Sequence, residues 1–392
     1  MDIEFTEEQR AFREVMRKVA EREFAKYLPK AEEDETFPKQ LIKDLGKLRY
    51  LCVAMPEKYG GSGADATYSC IQAEEFAKVN LGFSVAIGVQ TGTGPEYICR
   101  YGTEEQKQKF LIPAVKGEKI TGFANTEPDG GSDRSAMKTT ARRKGDYYIV
   151  NGSKTYITMG TICDFMPFSA WFIDENGKKN MALFIVEEGT PGFTRGRKLL
   201  KCGCRSSENS ELFFEDCKIP VANIIGNEKN GPEIFLHGAP TGRVLTAARA
   251  VGVARASFEA AVKYAQQRII FGKPLGRHQA ISVKLANIAT EIEAASLLVY
   301  KTAFLISQGK LALKEAAMAK LFACEMAARV TSEIVHIHGA YGYMRESLVE
   351  QYFRDARYLS ITKGPSEKQQ MIIAEEIGLY EKGGSLADLT IS

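Results

Sequence analysis

The sequence predicts an α+β protein in which a helical N-terminal domain, a middle antiparallel β domain and a C-terminal bundle of the four-helix type follow one another. Three observations predict it. Apolar residues recur at helical spacing before about residue 115, two Asn-Gly turn signals fall among strand-like runs between about 120 and 225, and three long alanine-rich stretches follow. At 392 residues the chain exceeds what one compact core usually spans, and the expected divisions are 1–118, 119–228 and 229–392.

In the first section, Thr6-Glu7-Glu8-Gln9 has the form of a capping box, with Phe5 placed as a staple and Phe12, Met16, Val19 and Phe24 on one face. Pro56 and Tyr59-Gly60-Gly61-Ser62-Gly63 mark a loop, and Glu104-Glu105-Gln106-Lys107 opens an amphipathic stretch expected to end near Pro113. In the second, residues 146–150 and 153–157 flank Asn151-Gly152 as a predicted hairpin. A looser hairpin surrounds Glu175-Asn176-Gly177, and Glu211–Phe214 ahead of Ile219-Pro220 makes a further strand of a barrel or sandwich. In the third, helices are predicted over 244–268, 280–306 and 313–337, with Gly309 and Gly339 as stops. Their small side chains permit close packing in a bundle.

Lys and Arg total 52 against 49 Asp and Glu, a net charge of +3, without the dense basic face that a general nucleic-acid binder needs. No apolar run approaches the roughly 18–20 residues that span a bilayer, and the acidic start Met1-Asp2-Ile3-Glu4-Phe5 is unlike a secretion signal. A cytoplasmic protein is the simplest expectation. The eight cysteines are scattered and expected to be reduced. The close pair Cys202-Gly203-Cys204 reads as a glycine turn, and with four histidines in the chain no metal site is expected.

The sequence lacks a G-x-x-x-x-G-K-[ST] loop, an H-E-x-x-H helix and a G-x-S-x-G elbow. Thr126-Glu127-Pro128-Asp129-Gly130-Gly131-Ser132-Asp133 offers hydroxyls and exposed backbone N–H groups in a loop that can approach a flat ring or a phosphate closely. Arg268-Ile269-Ile270-Phe271-Gly272 sets a cation and an aromatic at a helix end, where an arginine also complements the helix dipole.

Taken in order, Thr126-Glu127-Pro128 with Gly131-Ser132-Asp133, then Lys154-Thr155-Tyr156-Ile157-Thr158, then Arg268 with Phe271-Gly272, then Arg354-Asp355-Ala356-Arg357 resemble the acyl-CoA dehydrogenase family over nearly the whole chain. The resemblance implies FAD, held through Phe123, Asn125, Thr126 and Ser132, with Tyr156 and Thr158 beside the ring. It also implies that Arg268, Phe271 and Gln279 act on the cofactor of a neighbouring subunit in a homotetramer. Gly339 matches a glycine near the pyrophosphate, His336 stands where a Gln is usual, and Pro365 and Glu367 fall among the family's flavin contacts. Arg243, Ser132, Gly364 and Gln90 fall at acyl-CoA positions. Electrons are expected to pass to an electron-transfer flavoprotein. A carboxylate of raised pKa would remove a proton beside the thioester carbonyl while hydride leaves the neighbouring carbon.

Here the sequence departs from the family. The family's usual base, a Glu, is replaced by Lys363 in Ile361-Thr362-Lys363-Gly364-Pro365-Ser366-Glu367, and the alternative position, directly before Arg243, holds Gly242. Pro365 also replaces a hydroxyl expected to meet flavin, and Pro240 an acid expected near CoA. Three readings stay open. The base has moved to the far end of the acyl pocket, in the loop from Gly88 to Glu96. Glu96 would then serve an already unsaturated or cyclic substrate, such as cyclohex-1-ene-1-carboxyl-CoA, by 1,4-elimination, with Thr91 lining the pocket. In glutaryl-CoA members an Arg stands where this chain has Ser84. Alternatively Lys363 is itself a neutral base, its pKa lowered by burial, although a cation there would equally suit a carboxylated substrate. Or α,β-dehydrogenation is lost, leaving elimination without a dedicated base or binding without turnover. Neither nucleic acid nor membrane is an expected partner. The DNA-binding relatives carry an appended basic domain, for which the end at Ser392 is expected to leave no space.

Overall fold

The computed structural model of the chain describes residues 5–379; the acidic start ahead of Phe5 and the end at Ser392 lie outside them. Helix α1 (Glu7–Ala25) opens on the expected capping box, Thr6 Oγ1 accepting from Gln9 N and Gln9 Oε1 from Thr6 N. Phe5 does not act as a staple within that helix. It packs edge-on against Tyr300, with the Arg13 guanidinium over its face. After α2 (Leu28–Asp34) and α3 (Lys39–Lys47), the loop at Pro56–Gly63 leads into α4 (Ala66–Val79), α5 (Leu81–Thr91) and α6 (Thr93–Tyr101). Buried Glu74 on α4 gathers Arg13, Arg255 and Tyr300 from three other helices.

The stretch after Thr103 ends near Pro113 as expected, two residues beyond it at Val115. Helix α7 (Glu104–Gln106) widens into a π turn over Lys107–Leu111 and continues as α8 (Ile112–Val115). Pro113 lies inside the first turn of α8, where its missing N–H is tolerated, and the widened turn before it relieves the clash that a proline ring makes with the preceding turn.

The middle section forms one seven-stranded sheet from β1 (Thr140–Lys144), β2 (Tyr147–Thr158), β3 (Phe165–Ile173), β4 (Lys179–Glu187), β5 (Phe193–Lys198), β6 (Asn209–Pro220) and β7 (Ile224–Ile225), in the order β5-β6-β2-β1-β3-β4-β7. It is not wholly antiparallel, because β1 pairs parallel with β3. The looser hairpin forms as expected, β3 to β4 around Gly177. The predicted turn at Asn151-Gly152 does not form. β2 runs straight through it, and the hairpin from β1 turns at Gly145-Asp146 instead. Asn151-Gly152 is a bulge against β6: Asn151 Oδ1 accepts from Asp216 N, and a Cβ on Gly152 would come within 2.5 Å of Thr139 Oγ1.

The last section holds α9 (Gly231–Gln267), the short hairpin β8 (Ile269–Ile270) and β9 (Lys273–Pro274), then α10 (Gln279–Ser307), α11 (Leu313–His338), α12 (Leu348–Leu359) and α13 (Ser366–Glu376). Helix α9 begins at Gly231, well ahead of the expected Val244, and carries Pro240 within it. Alanines and valines of α9, α10 and α11 bury one another and also cover α4, so α9 is shared between the two helical sections. No helix among the described residues is long and apolar enough to cross a membrane.

Candidate active site

The turn between α12 and α13 aims Lys363. Lys363 (φ 55°) and Gly364 (φ 88°) both take the left-handed backbone, which a lysine adopts only when its surroundings impose it. Two side chains do so. Lys320 on α11 donates to the carbonyls of Ser360 (3.2 Å) and Gly364 (2.8 Å). Gln369 Nε2 donates to those of Lys363 and Gly364. The lysine thereby reaches between α6 and α9. Its Nζ donates to Thr93 Oγ1 at 2.7 Å, and a Cβ built at Gly242 would stand 3.5 Å from its Cδ and 3.7 Å from its Nζ. The two positions at which the sequence lacks its expected carboxylate therefore face each other in space.

Lys363 as a whole residue is exposed, but its amine end lies against Thr93 and Gly242 with three arginine charges nearby. Poor solvation above all, then the charges of Arg249, Arg134 and Arg243, push the amine down to about 8, against the pull of Glu96. Arg243 is itself pushed down to about 10 by burial and by Arg134. The Arg134 guanidinium lies 4.2 Å over the Phe235 ring, and Phe235 meets Tyr97 and Phe123 in an aromatic cluster. Arg243 Nε and Nη1 and Arg134 Nη1 are buried without a hydrogen-bond partner.

A cavity of about 450 Å³ opens between α4, α5, α6 and α9, with Thr91, Glu96, Thr241, Leu245 and Arg249 in its wall. The stretch from Gly88 to Glu96 is not the loop the sequence predicts: α5 runs to Thr91, α6 starts at Thr93, and Gly92 alone joins them. Helical spacing sets Thr93 and Glu96 on one face. Burial pushes the Glu96 carboxyl above its ordinary range, while Arg100, at 3.3 Å, and Lys363 oppose that shift. The other acid in the wall, Asp65, caps α4 by accepting from Thr67 N. Gln90, expected at the substrate, is committed elsewhere. It is fully buried, donates to the carbonyls of Ala114 and Lys119, and accepts from Thr121 N.

The loop expected to meet flavin rests on β2. Buried Lys154 pairs with Glu127 at 2.7 Å and donates to Asn125 O, and Thr155 N donates to Thr126 O. Beyond them β2 breaks register with β6, and Tyr156 takes a left-handed backbone (φ 59°) with its ring exposed, its carbonyl accepting from Asn209 Nδ2. Thr158 is buried beside Asn209, Asn125 Oδ1 accepts from Ser169 Oγ, and Ser132 is exposed.

The remaining expected contacts lie apart from this group on the chain. Arg268 and Gln279 are exposed at either end of the β8–β9 hairpin, and Phe271 at its tip is 94% exposed. His336 and Gly339 are exposed at the end of α11; Pro365 precedes α13 and exposed Glu367 lies in its first turn. Sequence reasoning missed Arg134, Lys320 and Arg249. For Arg249 a signal existed: it follows Thr241 and Leu245 at four-residue intervals, a cation in line with an apolar helix face. Among the described residues no group of three or more His, Cys, Asp or Glu could hold a metal ion.

Models of the acyl-CoA dehydrogenase N-terminal, middle and C-terminal domains match residues 6–118, 122–217 and 229–378. The chain is 40% identical over 380 residues to an acyl-CoA dehydrogenase of Bacillus subtilis, covering 97% of this chain and 99% of that one. It is 36% identical over 378 residues to the benzylmalonyl-CoA dehydrogenase of Aromatoleum aromaticum, covering 96% of this chain and all (100%) of that one. The solved structure of butyryl-CoA dehydrogenase from Megasphaera elsdenii superposes with a TM-score of 0.92 at 38% identity, covering 96% of this chain and 100% of that one.

Proposed function

This chain belongs to the acyl-CoA dehydrogenase family of flavin-dependent oxidoreductases, and from that premise we propose that it oxidises a cyclic or already unsaturated acyl-CoA with Glu96 as the base. One observation carries the reading: Glu96 is a carboxylate in the cavity wall, raised by burial and not tied up in a helix cap, while Lys363 and Gly242 stand where the resemblance leads one to expect the base. A substrate with a double bond beside its carbonyl loses its proton further along the acyl group, where Glu96 stands.

The cofactor we assign is FAD. Thr126 Oγ1, Ser132 Oγ and the Tyr156 hydroxyl make no hydrogen bond within the described residues, and Tyr156 stands exposed at the β2 register break. These residues suit a flat polar ring. FAD, when bound, supplies the hydride acceptor. The unpaired guanidinium atoms of Arg243 suit the anionic CoA moiety. Lys363 keeps a positive charge beside Thr93 at neutral pH and orients the thioester end. Phe271, exposed at its hairpin tip, and exposed Val283, Leu297 and Phe304 on α10 support a homotetramer in which Arg268, Phe271 and Gln279 reach a neighbour's FAD. An electron-transfer flavoprotein is the proposed acceptor.

The test is a comparison of cyclohex-1-ene-1-carboxyl-CoA with butyryl-CoA using an artificial acceptor. Rapid oxidation of butyryl-CoA by the protein as isolated would overturn the relocated base. A second reading, in which neutral Lys363 is the base, is favoured by its low pKa of about 8. It requires the activity to vanish in Lys363→Gln, whereas the first reading has Lys363→Gln keep turnover while binding the thioester more weakly.

A further inference from the structure

We propose that Arg249 anchors a second carboxylate on the acyl group, so that the cavity accepts acyl-CoA thioesters with an anionic far end. The inference deepens the function proposed above and rests on it, since the acyl group must occupy this cavity.

Arg249 lines the cavity from α9, seven residues and about 10 Å of helix rise beyond Gly242. Thr241, Leu245 and Arg249 are spaced four apart, so one face of α9 walls the cavity from Thr241, the residue before Gly242, to the guanidinium. The guanidinium is held in place. Its Nε donates to the carbonyl and the hydroxyl of Ser84, both at 3.2 Å. A Cβ at Gly88 would come within 1.8 Å of Nη2, so only glycine leaves room for it there.

What Arg249 lacks is a counter-ion. Among the described residues no carboxylate pairs with it, and its two terminal amino groups donate no hydrogen bond, although half-buried Lys78 and Lys107 and exposed Lys109 all have carboxylate partners. Burial pushes it down to about 10, and the groups that hold it up are Tyr358, Cys70 and Cys204, none of them a carboxylate. Of the acids in the wall, Asp65 caps α4 and Glu96 pairs with Arg100. A fixed, poorly solvated cation without a partner is costly unless a ligand supplies the charge. The guanidinium of a cavity-lining arginine can meet a carboxylate in bidentate geometry.

The test measures binding to the holoenzyme by flavin absorbance. The probes are adipoyl-CoA and pimeloyl-CoA, each beside its ω-methyl ester, with wild type, Arg249→Gln and Arg249→Lys. At least one acid is expected to bind wild type about tenfold or more tighter than its ester, the scale of one charge-assisted contact. The preference disappears in Arg249→Gln and survives in part in Arg249→Lys. Equal or weaker binding of both acids by wild type, a measurement that needs no variant to fold, overturns the proposal. So does an undiminished preference in Arg249→Gln. If neither acid nor ester perturbs the flavin, the acyl-CoA reading itself fails and this inference fails with it.

Discussion

Lys363 Nζ donates to Thr93 Oγ1 at 2.7 Å, and Thr93 stands one helical turn before Glu96. The lysine that replaces the expected carboxylate is thus joined, through one hydroxyl, to the helix that carries the carboxylate proposed to take over its work. Each influences the other's proton: Glu96 holds Lys363 up and Lys363 holds Glu96 down.

The lysine sets a pH dependence. Its amine lies at about 8 in the folded chain against an ordinary value of 10.5. Below pH 8 it is charged in both states, and the folded state bears the poorly solvated ammonium. Between pH 8 and 10.5 the unfolded chain binds the proton and the folded chain does not, so stability contributed by this group rises with pH through that window. Lys363→Gln is expected to raise Tm at pH 7, with the gain shrinking as pH approaches 10.5. Thermal melts across that range check it, and a gain that does not change with pH contradicts the assigned shift.

Gln90 is expected to matter for stability and not for substrate. Gln90→Leu leaves two carbonyls and one N–H without partners in the interior, a loss of about 3 kcal/mol or more. Denaturant unfolding should show it while KM for acyl-CoA stays unchanged. A raised KM without loss of stability would return Gln90 to the binding site.

Lys363→Glu restores a carboxylate facing Gly242. Oxidation of butyryl-CoA is expected to rise by about 100-fold or more over wild type, the scale of one general base. No increase in a variant that folds and binds flavin would mean that more of the α-carbon site than the base has changed.

The order of helices, sheet and helices was legible because each long segment keeps a single hydrophobic period. Asn151-Gly152 was misread because the same dipeptide serves a bulge as well as a turn, and the choice is made by β6, whose Asp216 takes up Asn151. Helix α9 was read short because Gly231–Gly242 is rich in Gly and Pro, yet packing against the sheet and α6 holds it helical. The missing carboxylates at Lys363 and Gly242 could be read only through the resemblance to the family, which supplies the positions where a base is expected. Their facing each other, the commitment of Gln90 to backbone groups and the unpaired state of Arg249 depend on contacts between distant segments, which no local pattern encodes.

The most direct measurement is turnover of the preferred cyclic or unsaturated acyl-CoA by Glu96→Gln, alongside its affinity for the same thioester. A fall in kcat of about 10²–10⁴-fold with binding and flavin content retained is the expected result. Unchanged kcat would show that the proton leaves by another route.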